Sequence, residues 1–281
     1  MDRGHAQSIE RPLALRASTS PAPLGLAQLR GGVARLLKRS VAVFAVLLLW
    51  ELAPRIGLAE PAFLPPLTEV LATGWELVLN GQLASHVGAS LSRSLVGFVA
   101  AILFAVPVGL AIGSSKLICD LLNPLLETLR NTAALALLPV FILLLGIGES
   151  SKIALVIYAC SWPILLNTIG GVRGVDPLLI KSARTMGLSS TDMLRKVTLP
   201  AALPAVFVGV RLAGASSLLV LVAAEMVGAK AGLGYLIIYS QYNFQIPHMY
   251  VGILTITALG LAFAQALQWI ERRFTSWKAS D

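Results

Sequence analysis

From Leu95 to Gly113 the chain runs nineteen residues without a charged side chain. A helix needs about 20 such residues to cross the hydrocarbon of a bilayer, so this run fixes the solvent in which the chain folds. It does not stand alone. Apolar stretches at about Ser40–Leu58, Ser90–Gly113, Leu121–Leu145, Ile153–Ile169, Leu203–Ala224 and Met249–Ile270 give six expected transmembrane helices. Hydrophobic residues make up 56% of the chain, charged ones 13%, and the mean hydropathy is +0.79, values that exclude a water-soluble domain. The expected fold class is all-α, a polytopic membrane protein.

In chain order, residues 1–39 are polar, basic and rich in Pro, Ser and Ala, with no apolar run to serve as a cleaved secretory signal. They read as a disordered cytoplasmic tail, with an organellar transit peptide as the alternative of similar composition. Residues 40–82 hold the first span, interrupted by Glu51 and Pro54, then a Pro-rich turn and an amphipathic helix expected to start at a Thr68 cap and stop at Asn80-Gly81. The second span carries Gly97, Ala101, Ala105, Gly109 and Gly113 at every fourth position. In lipid, helices associate by close packing, and a stripe of small residues lets a neighbouring backbone approach, so this span belongs at the centre of the bundle. Glu127 and Arg130 are spaced to pair on one helix face, followed by Asn131 and Thr132. After the fifth span, Gly228, Gly232 and Gly234 open a loop into a helix bearing Tyr235, Tyr239 and Tyr242, either an interfacial aromatic belt or a solute gate.

The basic residues set the orientation. With both termini inside, the inner segments hold sixteen Lys and Arg, and the outer ones hold Arg55, Lys152 and Lys230. The positive-inside rule then places the segment between the fourth and fifth spans in the cytoplasm. The net charge of +8 follows this membrane pattern, and no nucleic-acid partner is expected. Cys119 and Cys160, in a short loop and an apolar segment, make neither a disulfide framework nor a metal site.

That inner segment, residues 176–200, is a polar hairpin between two apolar runs. Asp176 caps a helix whose first residue is Pro177, Gly187 ends it, and Ser189 with Asp192 starts a second arm leading to Pro200 and Pro204. Leu179, Ala183 and Met186 share one face of the first arm, while Lys181, Arg184, Arg195 and Lys196 keep the hairpin out of lipid. The spacing Lys181-Ser182-Ala183, three residues, Gly187, nine residues, Val197-x-Leu199-Pro200 resembles the EAA loop of ABC importer permeases. The departures are Lys181 where the family has Glu and Ser182 where it has Ala. The runs FLPP (Phe63 to Pro66), LLPVFILLLGIGESSKI (Leu137 to Ile153), LPAALPAVFVGVRLA (Leu199 to Ala213) and VAAEMVGAKAGLGYLI (Val222 to Ile237) are similar to permeases of the nitrate/sulfonate/taurine/bicarbonate group.

That resemblance implies a type I (MetI-like) importer fold with a transporter domain at 83–274 and a short cytoplasmic tail at 275–281. It implies a second permease copy, two cytoplasmic ABC ATPase subunits docked on the hairpin through Lys181, Ser182, Ala183, Gly187, Leu199 and Pro200, and a periplasmic substrate-binding protein. It places the chain in a bacterial inner membrane.

No catalytic constellation is present: no GxSxG elbow, no HExxH, no clustered His and Cys, and no phosphate loop. No enzyme activity, metal or cofactor is expected, and any ATP must be hydrolysed by another polypeptide. A charge inside the membrane costs about 2.5 to 3.5 kcal/mol on insertion scales, so those near the spans are the remaining candidates for function. Arg211 lies about 12 Å into the fifth span at 1.5 Å per residue and must face protein or water. Arg130, Asn131, Asn167 and Arg211 are the candidate translocation-path residues, the two arginines as attractors for an anion or as members of structural pairs. Arg93 reads as a snorkelling anchor near the outer surface, and Glu225 as the cap of a loop. Tyr158, Trp162, Ser216 and Ser217 are weaker candidates. The expected solute is a small oxyanion, an aliphatic sulfonate such as taurine first, nitrate or bicarbonate next. The rival classes are a secondary transporter working alone, which typically carries a repeat between halves that this sequence lacks, and a polytopic membrane enzyme.

Overall fold

The computed structural model describes residues 41–275, with side chains up to Arg273. The expected N-terminal tail and the residues after 275 lie outside the described residues. The chain divides into two compact units, Met1–Leu52 and Ala53–Asp281. A helix at 41–55, α1, crosses the division, and everything that follows belongs to the second unit.

All the regular secondary structure among the described residues is helical. Helix α2 (Leu67–Leu79) is followed by α3 (Gln82–Ser114) and α4 (Lys116–Arg130). After a single 3-10 turn come α5 (Leu138–Leu145) and α6 (Glu149–Arg173). The hairpin comprises α7 (Pro177–Thr185) and α8 (Ser190–Met193), which runs through one π turn into α9 (Leu199–Glu225). Helices α10 (Leu233–Tyr242) and α11 (Ile246–Thr275) complete the fold. Four of these helices are long and apolar enough to cross a membrane, or five if a bent pair is one span. Of the six expected spans, the first corresponds to α1, of which fifteen residues are described.

Two expectations about these elements are corrected. The third apolar stretch is not one straight helix: Lys116–Arg130 and Ala134–Leu145 are bent by 83° at the Asn131–Ala133 turn. Asn131 and Thr132 there bond back to the carbonyls of Glu127 and Thr128, and Pro139 favours a fresh helix start. Thr68 does not cap α2. Pro66 holds that position without a side-chain bond, and the Thr68 hydroxyl lies inside the helix, accepting from Arg55 Nη2 at 3.1 Å.

The small-residue stripe is central, as its spacing predicts. Gly97, Ala101, Ala105 and Gly109 are buried on α3. A Cβ added to Gly109 would lie 2.7 Å from Thr168 Cβ and 3.1 Å from the Leu165 carbonyl, so the α3 backbone rests directly on α6. The opposite face of α6 receives α9, where a Cβ on Gly209 would meet the Pro163 carbonyl at 2.7 Å. Helix α6 is therefore the middle of a three-helix sandwich. Its core includes Val156, Cys160, Ile164 and Leu165, closed on the α11 side by Phe98 edge-on to Phe263 at 5.4 Å. Helix α9 alone extends about 40 Å at 1.5 Å per residue, so the hairpin and the Glu225 end are separated by the full height of the bundle.

Candidate functional site

At one end of the bundle, the hairpin forms for the local reasons its sequence announces. Asp176 Oδ1 accepts the Leu178 N–H at 2.8 Å, and Pro177 opens α7. Gly187 adopts φ +76°, which lets its N–H reach Arg184 O at 3.0 Å and the Leu188 N–H reach Ala183 O at 3.2 Å. This paired closure satisfies the last carbonyls of α7 and turns the chain back. Ser189 then accepts the Asp192 N–H at 3.1 Å and donates to Asp192 Oδ2 at 2.8 Å, and Lys196 joins Asp192 at 2.9 Å. The second arm is not a separate helix: it continues through Leu199 and Pro200 into α9, so any displacement of the hairpin is applied to a membrane-spanning rod.

Burial divides the residues of the first arm. Lys181, Ser182 and Gly187 are exposed and Ala183 is buried. Leu178, Leu179 and Met186 are 68%, 52% and 78% exposed, so Ala183 does not share the surroundings of its expected partners on that face. Among the described residues nothing hides these apolar side chains, which flank Lys181 and Arg184, from solvent. Behind them a groove of about 320 Å³ separates the hairpin from the ends of α3 and α6, lined among others by Gly113, Val172, Ile180 and Met193.

The four candidate path residues are not brought together. Arg130 pairs with Glu127 at 3.3 Å and Asn131 bonds to Glu127 O at 2.7 Å, both at the bend after α4. Asn167 donates to Pro163 O at 2.8 Å within α6 and packs on Gly209. Arg211 reaches Glu271 of α11 at 3.1 Å. The two guanidiniums keep 46% and 41% of their side-chain surface exposed.

The opposite end of the bundle holds a charge cluster that sequence reasoning missed. Arg93 is not a snorkelling anchor, because it is only 6% exposed and faces the bundle interior. Its Nη1 donates to Glu225 Oε1 and to Ala231 O, both at 2.7 Å, while its Nε and Nη2 grip the two oxygens of Glu149, the latter at 2.7 Å. Glu225 does not merely cap a loop. It is fully buried, accepts from Ser90 Oγ and from the Gly234 N–H at 3.0 Å, and Ser90 in turn accepts the Leu233 N–H at 2.8 Å. Gly232 lies against that carboxylate so closely that a Cβ would overlap it, and its φ of +124° suits glycine alone. Lys152, expected in an outer loop, is 2% exposed in the first turn of α6 and donates to Gly148 O at 2.9 Å. The signal that could have found this cluster was in view: one arginine in an otherwise uncharged span, and acids at the ends of two others.

Beside it, His86 accepts the Gly232 N–H on Nδ1 at 3.2 Å and tilts against Tyr235 at 5.9 Å, and Tyr235 stacks on Tyr239 at 5.3 Å. These side chains, with Glu76, Gln245 and His248, line a polar cavity of about 520 Å³. Tyr242 is 80% exposed and takes no part in it. Among the described residues no group of His, Cys, Asp and Glu is arranged to hold a metal ion.

Residues 89–276 match the family described as binding-protein-dependent transport system inner membrane component. A taurine transport system permease protein of Escherichia coli (strain K12) is 33% identical over 254 residues, covering 88% of this chain and 92% of its own. A nitrate import permease protein of Synechocystis sp. (strain ATCC 27184 / PCC 6803 / Kazusa) is 30% identical, covering 84% and 88%. Among solved structures, the MetNI methionine ABC transporter in an inward-facing conformation superposes with a TM-score of 0.60 at 19% identity, covering 70% of this chain and 98% of that one.

Proposed function

Because the chain belongs to the family of binding-protein-dependent transport system inner membrane components, and within it to the nitrate, sulfonate and taurine group of ABC importer permeases, we propose that it imports a small oxyanion on energy from ATP hydrolysed elsewhere. An aliphatic sulfonate such as taurine is the first choice. The observation that carries the energy-coupling reading is the hairpin: a capped, glycine-closed helix presenting Leu178, Leu179 and Met186 to solvent, continuous through π turn and Pro200 with α9. Such a surface suits docking on a cytoplasmic ABC ATPase, one on each of two permease copies, with Lys181, Ser182, Ala183, Gly187, Leu199 and Pro200 forming the coupling element. Lys181, where an acid is usual, points that contact toward an acidic ATPase surface.

The distribution of Lys and Arg supports a cytoplasmic hairpin end, cytoplasmic termini and an outer end at the Arg93 cluster, where a periplasmic binding protein delivers solute. In this reading residues 1–39 and 275–281 are tails, 40–82 the first span with its outer helix, and 83–274 the transporter domain. Arg130 and Arg211, each partly exposed, are the candidate attractors for the anion at two separate places in the fold, and Asn131 and Asn167, whose amides donate to carbonyls of their own preceding turns, are secondary candidates. The nitrate permease among the relatives favours nitrate as the second solute.

The test is uptake into proteoliposomes holding the permease, its ATPase and the binding protein, with labelled taurine, ethanesulfonate, nitrate and bicarbonate. ATP-dependent entry of a sulfonate, absent when the ATPase is left out, is the expected result. Accumulation by the permease alone would establish a secondary transporter instead, and failure of all four solutes would remove the oxyanion assignment.

A further inference from the structure

We propose that the Nε/Nη2 edge of Arg93 is an oxyanion site for the transported solute, occupied at rest by the Glu149 carboxylate as a displaceable stand-in. The inference rests on the import reading above and deepens it by naming a contact at the outer end of the path.

The two carboxylates on Arg93 are not equivalent. Glu225 has no exposed surface and is held by Ser90, Gly234 N–H and Arg93 Nη1 at once. It cannot leave without stripping several buried donors, so it fixes the guanidinium in place. Glu149 is the opposite case. It is the first residue of α6, follows the Gly146–Gly148 turn, and keeps 62% of its side chain exposed. Among the described residues its only hydrogen-bond partner is Arg93. The edge it covers is a planar fork of two parallel N–H donors, which matches any group with two oxygens on one centre, whether carboxylate, sulfonate or nitrate.

Charge balance selects an anion. Arg93 and Lys152 are buried beside Glu149 and Glu225, two positive groups against two negative. Swinging Glu149 outward leaves one uncompensated positive charge facing a two-oxygen vacancy, and burial of unpaired charge is costly. An arriving oxyanion restores the balance, whereas a cation or a neutral solute does not. A free solute competes poorly with a tethered side chain, but one released by a docked binding protein arrives at an effective concentration in the millimolar range. Because Arg93 Nη1 also holds Ala231 O, exchange on its other edge is felt by the loop that leads into α10.

The test is chemical rescue in the complete transporter in nanodiscs. Glu149→Ala is expected to fold, since the side chain is mostly exposed, with a lowered Tm. Ethanesulfonate at about ten times its Kd should raise that Tm by about 3 °C, while equal chloride or tetramethylammonium should not, and the wild type and Glu149→Asp should not respond. A rise of the same size with chloride, or none with ethanesulfonate, nitrate or acetate, would show that the pair is only structural and overturn the proposal. Rescue by solute-free binding protein alone would assign the edge to a partner carboxylate and overturn the solute assignment. ATP-dependent uptake by the wild type, measured in parallel, separates the outcomes: uptake without rescue removes this site alone, and no uptake removes the import reading.

Discussion

Glu225→Ala is expected to destabilise the permease by about 3 to 5 kcal/mol, the usual cost of removing one partner from a buried ion pair. The carboxylate has no exposed surface and receives Arg93, Ser90 and the Gly234 N–H. Its loss leaves the inner face of Arg93 with a carbonyl alone and unpairs the junction of α3, α9 and the loop before α10. The conservative Glu225→Gln should fail as well, because donors converge on both oxygens and an amide NH2 in either place faces one of them. Thermal unfolding of the purified transporter checks this, with a fall of about 10 °C expected for Ala. A change no larger than that of an ordinary surface substitution, about 0.5 kcal/mol, would contradict the assignment of this cluster as the anchor of its end of the bundle.

The second large effect is expected at the hairpin and on assembly rather than on stability. Leu179 and Met186 are exposed in the isolated permease, so Leu179→Asp with Met186→Asp should cost the fold about 0.5 kcal/mol each or less. If both side chains are buried by the ATPase, each loses about 1.5 to 3 kcal/mol of transfer free energy and gains the cost of desolvating a carboxylate. The pair should weaken association at least about 100-fold. Co-purification of the ATPase from membranes should then fail while the permease is recovered at wild-type level. Gly187→Asp should act in the same direction by another route: its Cβ enters open space, but φ +76° is strained for a side chain and loosens the end of α7. Undiminished co-purification in the double variant would remove the exposed apolar face from the docking surface.

The hairpin was legible in the sequence because each of its signals acts within a few residues. Asp176, Pro177, Gly187 and Ser189 determine caps and a reversal without help from the rest of the fold. The small-residue stripe was legible because period four on one helix needs no knowledge of the partner. The charge cluster was not, since Arg93 meets Glu149 across 56 residues and Glu225 across 132, and only packing of α3, α6 and α9 brings them together. Read alone, an arginine two residues before the uncharged run looks like an anchor, and an acid at a helix terminus looks like a cap. The bend after α4 was missed for a related reason. Hydropathy continues through Ala133–Leu145, while the backbone is interrupted by Asn131 and Thr132 bonding to their own preceding turn.

In the proposed mechanism, nucleotide-driven movement enters the membrane helices through residues 176–200. Spin labels placed by Met186→Cys in a complete transporter, with Cys119 and Cys160 buried and shielded from labelling, would report the distance between the two hairpins of a permease pair. Binding of ATP should shorten that distance in the same preparation that takes up solute. An unchanged distance in a transporter that hydrolyses ATP and accumulates solute would contradict the claim.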